Sequence, residues 1–163
     1  MAFEKKPAEK EQLRTVVLAI DESECSDFAW EYYLQNVYKK RDRIIFVHAP
    51  EYTEAINSPL TSGGVDPAIV VELIKKEKEM VRKLMEKYTN KLKMAKLQGR
   101  LLQVNGKPGE AIIKVVKTEG ATILILGSRG IGKVQRAIMG SVSDYCVHHS
   151  PVPVLVCRNK DKK

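Results

Sequence analysis

Five short runs rich in Val, Ile and Leu, at 15–20, 43–48, 100–104, 122–126 and 152–157, limit what this chain can fold into. Residues 123–126, Ile-Leu-Ile-Leu, have no polar interruption at all, the pattern of a strand buried on both faces of a parallel sheet. Between the runs lie segments with helical spacing. At 27–40, Trp30, Tyr33, Leu34 and Val37 share one face, with Ser26 as the expected cap. From Asp66 or Pro67 to about residue 97, apolar residues recur at Val70, Leu73, Ile74, Val81, Leu84, Met85, Tyr88, Leu92 and Ala95. That is long for a globular helix, which leaves room for a break near Thr89-Asn90. Shorter helices are predicted at 110–118 and 142–149. A β-α alternation repeated to a fifth strand implies an α/β fold, a parallel sheet covered by helices on both faces. Right-handed crossovers then favour the strand order 3-2-1-4-5. Pro153 has no N–H for a ladder, which suits an edge strand.

Ligands of such sheets bind at the carboxyl ends of the strands, where the winding reverses. Here that point lies between the first and fourth strands. Asp21 follows the first strand and Gly127 the fourth. Gly127-Ser128-Arg129-Gly130 opens a loop that re-enters a helix after Gly140-Ser141-Val142-Ser143. Glycines let backbone N–H groups face an anion, and the start of a helix favours negative charge. Gly127 is expected to let a ligand lie against the strand end, and Gly130 to supply a turn. Ser141 and Ser143 are either helix caps or phosphate donors. Asp21 is either a ligand contact or the anchor of an Asx turn. Two familiar motifs do not match. Gly132-Lys133 is followed by Val134, so the hydroxyl of a P-loop is missing, and G-x-x-G-x-G is not the dinucleotide spacing G-x-G-x-x-G.

The chain has 163 residues, 44% hydrophobic and 29% charged, the balance of an ordinary globular protein. It reads as a single domain over 1–163, with an ordered core at about 14–158 and polar tails. It contains no apolar run of membrane-spanning length and no leader-like start, and no membrane partner is expected. Cys25, Cys146 and Cys157 are odd in number and dispersed, as in reduced thiols of a cytoplasmic protein rather than a disulfide framework. The net charge is +8, and residues 72–100 hold ten Lys/Arg against four Glu. Interleaved on one helix, these read as a solvated face rather than a nucleic-acid site. His48 stands alone at a strand end, a structural histidine rather than a metal ligand, and no metal site is expected.

Taken together, Gly127-x2-Gly130-x9-Gly140-Ser141 resembles the nucleotide-binding pattern of the universal stress protein family, G-x2-G-x9-G-[ST]. Three further blocks are similar in the same order: Val17-Leu-Ala-Ile-Asp21-Glu-Ser23 with Ser26, then Phe46-Val-His48-Ala49, then Gly106-Lys-Pro108. The filling of the glycine loop and the closing Ser150-Pro-Val-Pro-Val-Leu-Val look like the plant and animal branch. The resemblance covers nearly all of 14–158. It implies an adenine nucleotide alpha hydrolase-like sheet that binds ATP, or AMP or ADP, with Mg²⁺ or Mn²⁺, holds it with little or slow hydrolysis, and serves stress response or signalling. On that basis Ala19, Ile20 and Asp21 approach adenosine, and the backbone of Ala49 meets the adenine edge. Leu126, Gly127, Arg129 and Gly130 line the ribose and first phosphate. Gly140, Ser141, Val142 and Ser143 hold the phosphate tail. Position 49 is often Val in the family, so Ala49 leaves more room beside the base.

No residue pattern positions a base against a water, so no catalytic residue is assigned and an enzyme, such as a slow ATPase or adenylate-type hydrolase, is the second reading. A dimeric scaffold without nucleotide is the third. The fifth strand is short, apolar and at an edge, a liability unless covered. A homodimer pairing it with its copy through Val152, Val154 and Val156 is expected, and the resemblance implies the same assembly.

Overall fold

Each apolar run forms a strand of one parallel sheet in the computed structural model, which describes residues 13–50, 67–128 and 139–159. The strands are β1 (Thr15–Ala19), β2 (Arg43–His48), β3 (Gly99–Gln103), β4 (Ile123–Gly127) and β5 (Val154–Cys157), in the expected order β3-β2-β1-β4-β5. The helices are α1 (Glu24–Tyr32), continued by a π-helical turn over Tyr33–Val37, then α2 (Pro67–Ala95), α3 (Pro108–Thr118) and α4 (Ser141–His149). Because side chains alternate along a strand, β1 and β2 feed two cores. Val16, Leu18, Ile44 and Phe46 pack with Trp30, Tyr33, Leu84, Tyr88 and Leu92 of α1, the π turn and α2. Val17, Ile45 and Val47 pack with Ile112, Ile113, Val115, Val116 and Cys146 of α3 and α4. Phe46 meets Trp30 and Tyr88 edge-on, with ring centroids 5.1 and 4.8 Å apart. Among the described residues, no helix is long and apolar enough to cross a membrane.

The helix α2 does not break at Thr89-Asn90. Its buried residues Leu84, Tyr88 and Leu92 follow one another at four-residue intervals straight through that point, so packing holds the helix where local propensity would end it. Its 29 residues span about 43 Å. The basic outer face is laced by Lys76–Glu72 at 2.9 Å and by Arg82 with Glu79 at 2.7 Å and Glu86 at 2.5 Å, as a solvated helix surface should be. Lys87 and Lys91 instead reach Asp27 on α1, at 2.6 and 3.3 Å.

At the amino end of the sheet, Asp42 is buried, its side chain 1% exposed. It accepts hydrogen bonds from Arg14 Nε at 2.8 Å, Arg14 Nη2, Tyr33 Oη at 2.9 Å and the Lys39 N–H at 3.0 Å. Burial pushes this carboxyl up, but the Arg14 guanidinium and the Lys39 and Tyr33 donors outweigh it and hold the group below the usual carboxylate range. Cys146 and Cys157 are free, and burial pushes both thiols up to about 11, leaving them protonated at neutral pH.

Candidate functional site

The carboxyl ends of β1, β2 and β4 open into a cleft of about 430 Å³ between α1, α2 and α4. Its lining includes Ala19, Ile20, Asp21, Ala49, Leu126, Gly127, Gly140, Ser141, Val142 and Ser143, so ten of the expected contact residues converge at the switch point. Arg129 and Gly130 lie outside the described residues.

Asp21 ends β1 in a tight turn. Its Oδ1 accepts from the Ser23 N–H at 2.9 Å, Ser23 Oγ at 2.5 Å and Ser26 Oγ at 2.7 Å, while its own N–H donates to Ser26 Oγ at 2.9 Å. Asp21 therefore anchors an Asx turn and also lines the cleft. Ser26 is not the cap of α1. The cap position is Ser23, three residues earlier, and Ser26 lies buried inside the first turn, bonded back to Asp21. At β2, the Ile20 N–H donates to Val47 O at 2.8 Å, and His48 Nδ1 lies 3.1 Å from Ile20 O. A carbonyl can only accept, so Nδ1 carries the proton and His48 ties β2 to the end of β1. This is the structural role expected of it.

The two glycines at the cleft differ. A Cβ on Gly127 would stand 2.3 Å from Cys25 O and 2.4 Å from Cys25 C. Gly127 is therefore demanded by the close approach of α1 to the end of β4, rather than by room for a ligand as expected. A Cβ on Gly140 would meet nothing within 4 Å, and its φ of −59° and ψ of 151° suit any residue. No packing contact among the described residues requires glycine there. Gly140 caps α4, whose first backbone bond runs from the Asp144 N–H to Gly140 O at 2.9 Å. The N–H groups of Ser141, Val142 and Ser143 precede that bond and have no acceptor within the helix. Neither serine makes a side-chain cap bond.

Sequence reading did not assign Glu77, Met80 and Val81 of α2, or Pro108 and Ile112 of α3, to the ligand site, yet all of them line the cleft. Met80 and Val81 follow the helical repeat, but only the fold shows that this part of α2 passes the strand ends. The charge of the described lining is negative: Asp21, Glu22 and Glu77, with no Lys or Arg. Among the described residues, no group of three His, Cys, Asp or Glu side chains could hold a metal ion.

Known proteins share this fold. The chain is 26% identical over 144 residues to the universal stress protein YxiE of Bacillus subtilis, covering 88% of this chain and 97% of that one. It is 26% identical over 156 residues to the universal stress protein MJ0577 of Methanocaldococcus jannaschii, covering 91% and 96%. The solved structure of MJ0577 superposes with a TM-score of 0.73 at 25% identity, over 91% of this chain and 98% of that one. A universal stress protein family structure from Arabidopsis thaliana with AMP bound shares the fold, with a TM-score of 0.66 at 21% identity over 91% and 94%. The family model for universal stress proteins matches residues 12–158, from the segment before β1 to the residue after β5, and with the sheet order and the switch-point cleft this makes the chain a member of the universal stress protein family.

Proposed function

We propose that this protein binds an adenine nucleotide in the switch-point cleft and holds it, as a member of the ATP-binding, plant and animal-like branch with a stress or signalling role in the cytoplasm. One observation carries the reading: the N–H groups that open α4, without acceptors inside the helix, lie beside a glycine that no packing contact among the described residues requires. A glycine at this position costs conformational entropy, and close approach of a phosphate to the backbone accounts for it. On this reading Ala19, Ile20, Asp21 and Ala49 take the nucleoside, and Leu126, Gly127, Arg129 and Gly130 the ribose and first phosphate. Gly140, Ser141, Val142 and Ser143 take the tail. The cleft volume suits a small ligand, and Val47, Ala49, Met80 and Val81 supply apolar contact for a base. Arg129 is one source of positive charge, and Mg²⁺ or Mn²⁺ on a triphosphate would offset the carboxylates. AMP in the Arabidopsis relative supports the same ligand class. With AMP, or ATP and Mg²⁺, a hundredfold above its dissociation constant, stability should rise by ~2.7 kcal/mol, roughly 5–10 °C in a domain of this size. GTP should give a smaller shift. Gly140→Val should lose the shift while melting normally without ligand. If no adenine nucleotide moves the melting temperature and none co-purifies, the reading is wrong.

The assembly proposed with it is a homodimer through β5. The Leu124 N–H donates to Pro153 O at 3.0 Å and the Ser128 N–H to Cys157 O at 2.8 Å. Residues 153, 155 and 157 therefore face β4, and Val152, Val154 and Val156 turn their backbone groups to the outer edge. The N–H that Pro153 lacks lies on the inner side, outside the strand itself, so it leaves the outer edge intact. The half-buried Val152, Val154 and Val156 flank that edge, which a second copy can cover by antiparallel pairing. Light scattering should give a dimer at micromolar concentration and a monomer for Val154→Pro, which removes an outward donor. A monomeric wild type, or an unchanged dimer in the variant, excludes this interface.

A further inference from the structure

We propose that Glu77 is a specificity-determining residue of the cleft. Its carboxylate accepts a hydrogen bond from a neutral donor of the bound nucleoside, a ribose hydroxyl or the exocyclic amine of the base. The inference rests on the nucleotide reading above.

The inward stripe of α2 runs Val70, Ile74, Glu77, Val81, Leu84, Tyr88 and Leu92, at three- and four-residue steps. Each is buried or half-buried, and Glu77 alone carries a charge. An acidic residue in an apolar stripe breaks the local pattern, and such breaks mark functional positions when nothing structural compensates them. Nothing does so here among the described residues. Glu72, Glu79 and Glu86 on the same helix each pair with a Lys or Arg three or four residues away. The positions that could do this for Glu77 are Leu73, Ile74, Met80 and Val81, all apolar. No hydrogen bond or ion pair engages Glu77 from another described element, although it is half-buried.

Its surroundings are the cleft, which it lines together with Met80 and Val81. A half-buried carboxylate without a partner is costly, and the cost is recovered when a ligand supplies the donor. Among the described residues the lining offers no Lys or Arg, and a bound ligand can supply the donor. A nucleoside presents neutral donors at the ribose 2′ and 3′ hydroxyls and, in adenine, at the amino group. A phosphate presents negative charge, which Glu77 repels and the start of α4 attracts. The two ends of the cleft thus orient a nucleotide, with its nucleoside toward α2 and its phosphate toward α4.

The test is the Glu77→Leu variant, read by calorimetric titration with AMP and by melting without ligand. Leucine completes the stripe, so the ligand-free variant should melt higher than wild type. Its Kd for AMP should rise about tenfold or more, the loss expected when a hydrogen bond to a charged group is removed. A residue with a packing role alone would not move the two readouts in opposite directions. Titrations with 2′-deoxy-AMP, 3′-deoxy-AMP and inosine monophosphate identify the donor: the analogue that binds weakly to wild type, and no more weakly to the variant, lacks it. Wild-type binding of AMP with an unchanged Kd in Glu77→Leu overturns the assignment and leaves the nucleotide reading standing. A wild type that binds none of these nucleotides overturns both.

Discussion

Replacing Asp42 by Ala lowers the melting temperature by roughly 6–20 °C, the shift that corresponds to about 3–5 kcal/mol for breaking a buried ion pair in a domain of this size. The magnitude follows from what is left behind. Arg14 Nε and Nη2, Tyr33 Oη and the Lys39 N–H all lose their acceptor at once. Arg14 Nη2 also donates to Val37 O at 2.8 Å, at the end of the π turn, and the Arg43 N–H donates to Arg14 O at 2.9 Å. The network therefore ties the start of β1 to the start of β2 and to the end of the first helical segment. Asp42→Asn keeps an acceptor and removes the charge, so it should fall between Ala and wild type. The variants also isolate a pH effect. Asp42 titrates below its unfolded value, so its contribution is fully present above pH ~4 and is lost as the pH falls through its lowered folded value. Thermal melts from pH 7 down to pH 2 should show the gap between wild type and Asp42→Asn closing below pH ~4. A gap that is constant over this range would mean that the charge on Asp42 does not contribute.

The parts of this molecule legible in the sequence are those whose signal is local and periodic. Val16, Val17, Leu18 and the equivalent residues of β2 and β4 are apolar on both alternating faces because helices cover both sides. The strand order follows from that pattern and the hand of the crossovers, and the order places Asp21 beside Gly127. What was not legible depends on distance in the chain. Asp42 carries no local signal, and only the register of β1 against β2 brings Arg14 to it, 28 positions away. Ser26 has the composition of a cap, yet the turn built on Asp21 shifts the start of α1 to Glu24 and draws Ser26 inside. Helix propensity at Thr89-Asn90 predicts a break that the packing of Tyr88 and Leu92 prevents. Glu77 did leave a signal, an acidic residue at an inward position of α2. That signal acquires meaning only once α2 is seen to pass the cleft.

The two glycines supply the other large expected effect, because they look alike in sequence and differ in structure. Gly127→Ala should destabilise by about 3 kcal/mol or more, the upper range for forcing atoms into a packed site. The added Cβ would lie 2.3 Å from a backbone oxygen, and no rotamer change relieves a clash with main chain. To make room, the first turn of α1 must lift from the end of β4. That turn carries Ser23 and Ser26, which hold the Asp21 carboxylate in the cleft. Loss of stability and distortion of the site should therefore appear together, as a lower melting temperature and weaker nucleotide binding in the fraction that remains folded. Gly140→Ala should do the reverse. Its backbone dihedrals suit alanine and its Cβ meets no described residue within 4 Å, so the substitution introduces no clash with them, and the unfolded chain loses freedom worth ~0.4–1 kcal/mol in favour of folding. Binding should still fall, because on the nucleotide reading proposed above the methyl group would stand where the phosphate approaches the start of α4. Denaturant melts and AMP titrations on the two variants separate the roles. A Gly127→Ala protein as stable as wild type would mean that α1 does not press on β4 as the structure has it. A Gly140→Ala protein that binds AMP unchanged would remove the glycine from the phosphate site and leave it an ordinary helix cap.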